Sequence, residues 1–99
     1  MNLTVEQTDT IITITAQEME GPEETLRETL GDMRSRITTP RVHIQLEGPH
    51  PGLNCISTIL LFIVELRRSK IRTYLRAAPD TLTALNMMGM GAFFEQGAV

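Results

Sequence analysis

Residues 41–68 carry the strongest signal for the fold, and they read RVHIQLEGPHPGLNCISTILLFIVELRR. At positions 41–47 apolar and polar side chains alternate, which predicts a strand with one face against a core. The glycine and proline residues at 48–52 predict a rigid, irregular loop. From Asn54 to Arg68 the apolar residues recur at helical spacing, and Asn54 can cap the first turn. The stretch therefore predicts a strand, a loop and a long helix.

The flanking segments add strands and helices in alternation. The predicted elements are two short strands within 3–15, a helix at 22–37, the strand at 41–47, the helix at 54–68, a strand at 71–75 and a helix from Pro79 that ends at Gly89. The order is β-β-α-β-α-β-α. Two strand–helix–strand connections imply parallel pairs, and right-handed crossovers bring the helices to one face. We therefore expect an α/β fold with a mixed sheet, formed by residues 1–99 as a single domain.

Composition excludes several classes of function. The net charge is −3 and the basic residues are scattered, which argues against binding to nucleic acid. The chain has 1 cysteine, so no internal disulfide forms, as suits a reducing compartment. The longest apolar run, residues 59–64, is far shorter than the about 20 residues that cross a bilayer. The first ten residues lack the pattern of a signal peptide. We expect a cytoplasmic protein without membrane insertion.

Four stretches resemble the STAS domain found in bacterial anti-sigma-factor antagonists. They are residues 12–15 running into 22–27, residues 42–47, the helix at 54–68, and residues 85–90 followed by Phe93 and Phe94. The resemblance implies a STAS-like fold and a non-catalytic, regulatory protein–protein interaction in signal transduction and transcription regulation. It also implies a protein partner of the kind these antagonists bind, an anti-sigma factor with serine kinase activity.

One motif of the resembling family is missing. These antagonists carry Asp-Ser-Ser/Thr-Gly between the third strand and the second helix, and its hydroxyl is phosphorylated. The corresponding position falls at Leu53 or Asn54, and neither side chain accepts phosphate. Ser57 and Thr58 follow about one helical turn later, and their modification stays open. We expect no phosphoswitch at the family's position. An alternative function, a STAS-like cytoplasmic subunit of a membrane transport assembly, needs no phosphoacceptor.

The long helix has more apolar residues than one face can bury. Leu61 points away from the core-facing stripe and Phe62 lies at its margin. One interpretation is a broad core stripe with a stray leucine, and the other is a protein-binding surface. For the second interpretation the predicted contact residues are His50, Leu53, Asn54, Ser57, Thr58, Leu61 and Phe62.

The C-terminal methionines and phenylalanines form a second candidate surface. Met87, Met90 and Phe94 lie close together in sequence. Flexible thioethers suit adaptable contacts, with a partner or in a homodimer. The other interpretation is that this end of the chain closes the core, with Met88 and Phe93 as the buried residues.

A catalytic interpretation rests on one cysteine and one histidine. Cys55 at a helix N-terminus with His50 in the loop before it makes a conceivable nucleophile pair. Against it, Cys55 also suits a small apolar position, and no carboxylate is placed to orient the histidine. His43 and His50 lack the spacing of a zinc site, and no glycine-rich phosphate motif occurs. We expect no enzyme, no catalytic residues, no metal and no cofactor.

Overall fold

The computed structural model describes residues 1–49 and 51–98. The strands are β1 Asn2–Glu6, β2 Asp9–Ile14, β3 Arg41–Leu46, β4 Arg72–Ala77 and β5 Glu95–Ala98. The helices are α1 Ala16–Glu20, α2 Glu23–Arg36, α3 Leu53–Arg68 and α4 Pro79–Met87, and a 3₁₀ turn covers Gly91–Phe93. The predicted α/β class is confirmed. The structure adds the short α1, the 3₁₀ turn and β5 to the predicted order.

The five strands form one mixed sheet in the order β1-β2-β3-β4-β5. The β1–β2 pair is antiparallel, and the other three pairs are parallel. Ile12 lies beside Ile44, and Ile44 lies beside Leu75, so one row of apolar side chains crosses the central strands. Successive parallel strands are added in one direction, which places their connecting helices on one face. The burial pattern agrees, because this face of the central strands is buried and the opposite face is not.

The core lies between the sheet and the helical layer. In β3, each side chain that faces the core is at most 3% exposed, as the alternation in the sequence predicts. The helices contribute Leu26, Leu30 and Met33 from α2 and Ile56, Ile59, Ile63 and Leu66 from α3. Each such side chain contributes about 1.5–3 kcal/mol by leaving water. One apolar cluster therefore holds the helices to the sheet.

The start of α3 differs from the prediction. Gly52, not Asn54, is the N-cap residue, and no side chain among the described residues caps the helix. Gly52 has an extended backbone, with φ −66° and ψ 164°, so the helix begins directly after it at Leu53. Asn54 is consequently an exposed residue of the first turn.

Two helices end in left-handed residues. Gly89 follows α4 with φ +75°, and the Met90 N–H donates to the Leu85 carbonyl. This pattern is a Schellman motif, so the prediction that Gly89 ends the helix is confirmed. Lys70 adopts the same conformation after α3, with φ +62°, although it has a side chain.

The face of the sheet opposite the helices is polar. His43 and Tyr74 stack across β3 and β4 with ring centroids 4.8 Å apart. Arg41 pairs with Asp9 on β2 at 2.6 Å. Cross-strand pairs of this kind stabilise a half-exposed sheet face.

Candidate functional site

The outward side of α3 presents two exposed leucines. Leu53 is 70% exposed and Leu61 is 60% exposed. Leu53, Ser57 and Leu61 are spaced four residues apart, so they share one side of the helix and span about 12 Å. Asn54 lies next to Leu53 in the first turn of the helix, and all four of these residues are exposed. We call Leu53, Asn54, Ser57 and Leu61 the α3 ridge.

Two of the predicted contact residues are buried instead. Phe62 is 4% exposed, so its predicted place at the surface is wrong. It follows Leu61 by about 100° around the helix, which turns its ring into the core. Thr58 is also 4% exposed, and its hydroxyl donates to the Asn54 carbonyl at 3.0 Å. The same hydroxyl lies 3.3 Å from Glu23 Oε1, so Thr58 links α3 to α2 and makes no outward contact.

His50, the remaining loop residue of the predicted surface, lies outside the described residues. Of the seven predicted contact residues, the structure brings together the four of the α3 ridge on one exposed side of α3. The apolar excess of the sequence predicted exposed leucines. It could not show which of two adjacent residues, Leu61 or Phe62, faces the core.

A shallow groove of about 180 Å³ runs beside the ridge between α2 and α3. Leu30 and Phe62 are among its lining residues, and Leu61 borders it. Gly31 leaves it open, because a Cβ there would meet no atom within 4 Å. Arg27 and Glu65 supply charge to the same groove. The ridge is therefore continuous with a depression that a partner side chain can enter.

The N-terminal end of the ridge adjoins acidic side chains. Two cavities of about 300 Å³ each lie there, and both are lined by Met19 and Gly52. Glu23 lines one of them and Glu20 lines the other. Glu24, in the first turn of α2, is exposed as well. This end of the domain presents apolar surface next to negative charge.

The second candidate surface is only partly exposed. Met87 is 84% exposed and Met90 is half-buried. Phe94 is 7% exposed and belongs to the core cluster, so its predicted surface role is wrong. Its ring packs inward because the chain returns to the sheet edge after the 3₁₀ turn and forms β5.

The environment of Cys55 opposes nucleophilic chemistry. The residue is 6% exposed, and burial raises the pKa of its thiol. A thiolate at neutral pH requires the opposite shift. Within residues 1–49 and 51–98, no three His, Cys, Asp or Glu side chains are grouped to hold a metal ion.

A further cavity at the opposite end of α3 was not anticipated from the sequence. It has a volume of about 340 Å³ and is lined by Arg67, Lys70 and Arg72 among others. In the sequence, Arg67 and Lys70 indicate only charges that complement the C-terminal end of a helix dipole. Only the tertiary fold brings these two residues next to residues of β4 and β5.

No protein-family model, curated protein sequence or solved structure matches this chain. Over the part of the chain that the structure describes, no helix has both the length and the apolar character needed to cross a membrane.

Proposed function

We propose that this chain is a cytoplasmic, non-catalytic protein-binding module that acts in the manner of an anti-sigma-factor antagonist. It binds its partner through the α3 ridge. The observation that carries the proposal is the pair of exposed leucines, Leu53 and Leu61, on one side of an otherwise well-packed helix. Apolar residues on one side of an amphipathic helix are the usual anchors of a helix–groove interface.

Exposure of these two side chains costs the monomer free energy. Fully burying one leucine releases about 1.5–3 kcal/mol, and the monomer forgoes the larger part of this at both positions. A partner that covers Leu53 and Leu61 recovers it. Asn54 and Ser57 lie between them and offer hydrogen-bonding groups to the same partner. The groove beside Leu61 has room for an apolar side chain of the partner.

Charge defines the chemistry of the partner. The ridge begins next to Glu20, Glu23 and Glu24. A complementary surface therefore has an apolar groove for the two leucines and lysine or arginine side chains at its rim. Association with such a surface should slow as salt concentration rises, because the acidic end of the domain steers the encounter.

The regulation differs from that of the antagonists that the sequence resembles. Leu53 and Asn54 occupy the start of α3, and neither carries a hydroxyl. The Thr58 hydroxyl is buried and hydrogen-bonded to the Asn54 carbonyl. Ser57 is the exposed hydroxyl of the ridge. Under this proposal, binding is controlled by protein abundance, by competition between partners, or by modification of Ser57.

The experiment is an affinity capture with tagged wild-type protein and three charge-introducing variants. Leu61→Glu places a carboxylate in the ridge. Val5→Glu is the matched control, because Val5 is an apolar residue of β1 that is 57% exposed. Met87→Glu tests the second candidate surface. All three substitutions are at exposed positions, so each melting temperature should stay close to that of the wild type.

We expect wild type and Val5→Glu to retain the same partner, and Leu61→Glu to lose at least about 2 kcal/mol of binding energy, a factor of about 30. A retained partner of the anti-sigma serine kinase type supports the proposal. Equal binding by Leu61→Glu would remove the ridge from the interface. Loss with Met87→Glu alone would move the interface to the C-terminal end.

The alternative assembly function makes a different prediction. A STAS-like subunit of a membrane transport assembly should co-purify in fixed stoichiometry with membrane proteins. The absence of a hydroxyl at Leu53 and Asn54 favours this alternative over a phosphorylated antagonist. Stoichiometric recovery of transporter subunits by wild type and Val5→Glu would replace the regulatory proposal with this one.

A further inference from the structure

We propose that strand β1 pairs with β1 of a second copy of this chain, so that two sheets join into one. β1 is an edge strand, because the strands of the described residues follow the order β1-β2-β3-β4-β5. It is bonded on one side, to β2. β1 shares no residue with the α3 ridge, so the inference stands apart from the proposed protein-binding function.

The outer side of β1 carries free backbone groups. The turn after β1 has two residues, and Glu6 faces Asp9 across it. In such a hairpin this pair exchanges both hydrogen bonds, and bonded pairs then alternate with non-bonded pairs along the ladder. The N–H and C=O groups of Leu3 and Val5 therefore point away from β2. Outside the strand ladders, no backbone group of the described residues bonds to them.

β1 lacks the features that commonly keep edge strands apart. Natural edges are blunted by lysine, by proline or by a bulge. The sequence of β1 is NLTVE, and its pairing with β2 runs over all five residues without a bulge. Val5 adds an apolar side chain that is 57% exposed. The edge is therefore open to another strand.

The free groups select one register for a second copy of β1. In an antiparallel pair, hydrogen bonds form where outward-facing residues lie opposite each other. Two-fold symmetry about Thr4 places Leu3 of each copy opposite Val5 of the other, and four backbone hydrogen bonds form. A register centred on Leu3 or on Val5 instead leaves the other of these two residues opposite a residue outside β1.

The side chains also match in this register. Leu3 and Val5 lie on the helical face of the sheet, since they face the buried residues Ile12 and Thr10 on β2. Their contact across the two-fold axis extends the apolar row of the central strands onto the second copy. On the opposite face the two copies of Thr4 meet, and threonine pairs are favourable across strands.

The charge of β1 favours pairing with an identical strand. Glu6 is the one charged side chain of β1. The register places it opposite Asn2 of the second copy, whose amide group donates hydrogen bonds, and not opposite a second Glu6. Like charges directly opposite each other destabilise a strand pair. β1 is thus complementary to itself, as a closed two-fold dimer requires.

The small size of this interface sets the affinity to expect. Two paired strands of five residues bury less than the about 1,200 Å² of a standard interface, so the dimer is weak and depends on concentration. Sedimentation equilibrium of the full chain from about 10 µM to about 2 mM should show monomer and dimer in exchange, with Kd of about 0.1 mM.

Two lysine substitutions separate strand pairing from a general effect of charge. Thr4→Lys places two ammonium groups opposite each other on the axis, so it should weaken the dimer at least about tenfold. Thr83→Lys is the matched control, because Thr83 is an exposed threonine of α4, and its Kd should change less than about twofold. Val5→Glu should also be monomeric, and it leaves the α3 ridge unchanged, so partner capture by that variant reports on the ridge alone.

Cysteine substitutions test the register. Opposite residues of a non-bonded pair have Cα atoms about 4.5 Å apart, within the range of a disulfide, so Thr4→Cys should be cross-linked into a dimer by mild oxidation. Val5→Cys is the control, because its two copies lie diagonally, about 7–8 Å apart, and should cross-link at least about tenfold more slowly. Cys55 is 6% exposed and does not compete.

A monomer at all concentrations up to about 2 mM would overturn the proposal. So would equal weakening by Thr4→Lys and Thr83→Lys, which would place the contact elsewhere or make it unspecific. Equal cross-linking of Val5→Cys and Thr4→Cys would overturn the register. A mass above that of a dimer would show head-to-tail pairing of β1 with β5, which does not close, and would overturn the two-fold arrangement.

Discussion

Gly48 lies in the loop after β3 and packs closely against Ala16 at the start of α1. The substitution Gly48→Ala should therefore destabilise the fold strongly. The φ of Gly48 is +118°, a conformation that L-residues rarely adopt. A Cβ built at Gly48 would lie 2.5 Å from the Ala16 Cβ and 3.2 Å from the Ala16 Cα. Both the backbone conformation and the close approach of α1 therefore require glycine at this position.

The magnitude follows from three effects. The strained backbone costs about 1–3 kcal/mol. Relief of the overlap with Ala16 requires α1 or the loop to move, which costs about 1–3 kcal/mol. The lower entropy of the unfolded chain returns about 0.4–1 kcal/mol. The expected loss is about 3 kcal/mol, a large fraction of the 5–15 kcal/mol typical of a domain.

The assay is urea denaturation followed by circular dichroism, with two comparison variants. Gly31→Ala is the control, because Gly31 lies inside α2, where a Cβ meets no atom within 4 Å. That variant should gain about 0.5–1 kcal/mol. Ala16→Gly removes the atom at 2.5 Å, so in the double variant with Gly48→Ala it should recover part of the loss. A Gly48→Ala protein as stable as Gly31→Ala, or no coupling to Ala16, would refute this account.

Three further experiments test local features. Burial by itself raises the pKa of Glu18, but hydrogen bonds from the terminal amino group and from Thr15 outweigh it and hold the pKa below its ordinary value. A carboxylate with a lowered folded-state pKa stabilises the fold above its unfolded pKa, and this stability is lost as pH falls through the folded value. As the pH is lowered below about 4.5, denaturation curves should show that the wild type loses more stability than Glu18→Gln. Identical dependence of stability on pH in the two proteins would contradict this. Cys55 should react with a thiol reagent at least about tenfold more slowly in the folded protein than in urea, because burial raises the pKa of its thiol and blocks access of the reagent. Fast labelling of the folded protein would restore the catalytic interpretation. In urea denaturation, Phe62→Ala should lower the free energy of unfolding by about 3–5 kcal/mol and Leu61→Ala by less than about 0.5 kcal/mol. Similar losses of stability at both positions would show that Leu61 belongs to the core.

The elements that the sequence predicted well are those with a strong repeat. β3 combines alternation with a preceding Pro40, and α3 combines a long apolar stripe with basic residues at its C-terminal end. Both are where the pattern indicated, within two residues at each end. α1 was missed because it has five residues and a single buried side chain, Met19. Its start is nonetheless encoded, since Thr15 and Glu18 form a capping box.

β5 and the burial of Phe94 were not predictable in the same way. Residues 95–98 have no alternation of apolar and polar side chains, and they form a strand because the exposed edge of β4 offers hydrogen bonds. Phe94 is consequently carried into the core. Its place depends on a neighbouring strand distant in sequence, which a local pattern cannot contain.

The sequence by itself determined the α/β class, the period of β3 and α3, and the presence of more apolar side chains on α3 than one face can bury. These properties depend on local spacing, because a side chain's direction on a strand or helix follows from its position in the repeat. Only the tertiary structure decided that Leu61 is exposed while Phe62 packs inward, since this depends on where α2 lies. It also decided that Lys70, Arg72 and Thr73 line one cavity with Glu95, because strand pairing between β4 and β5 brings those residues together.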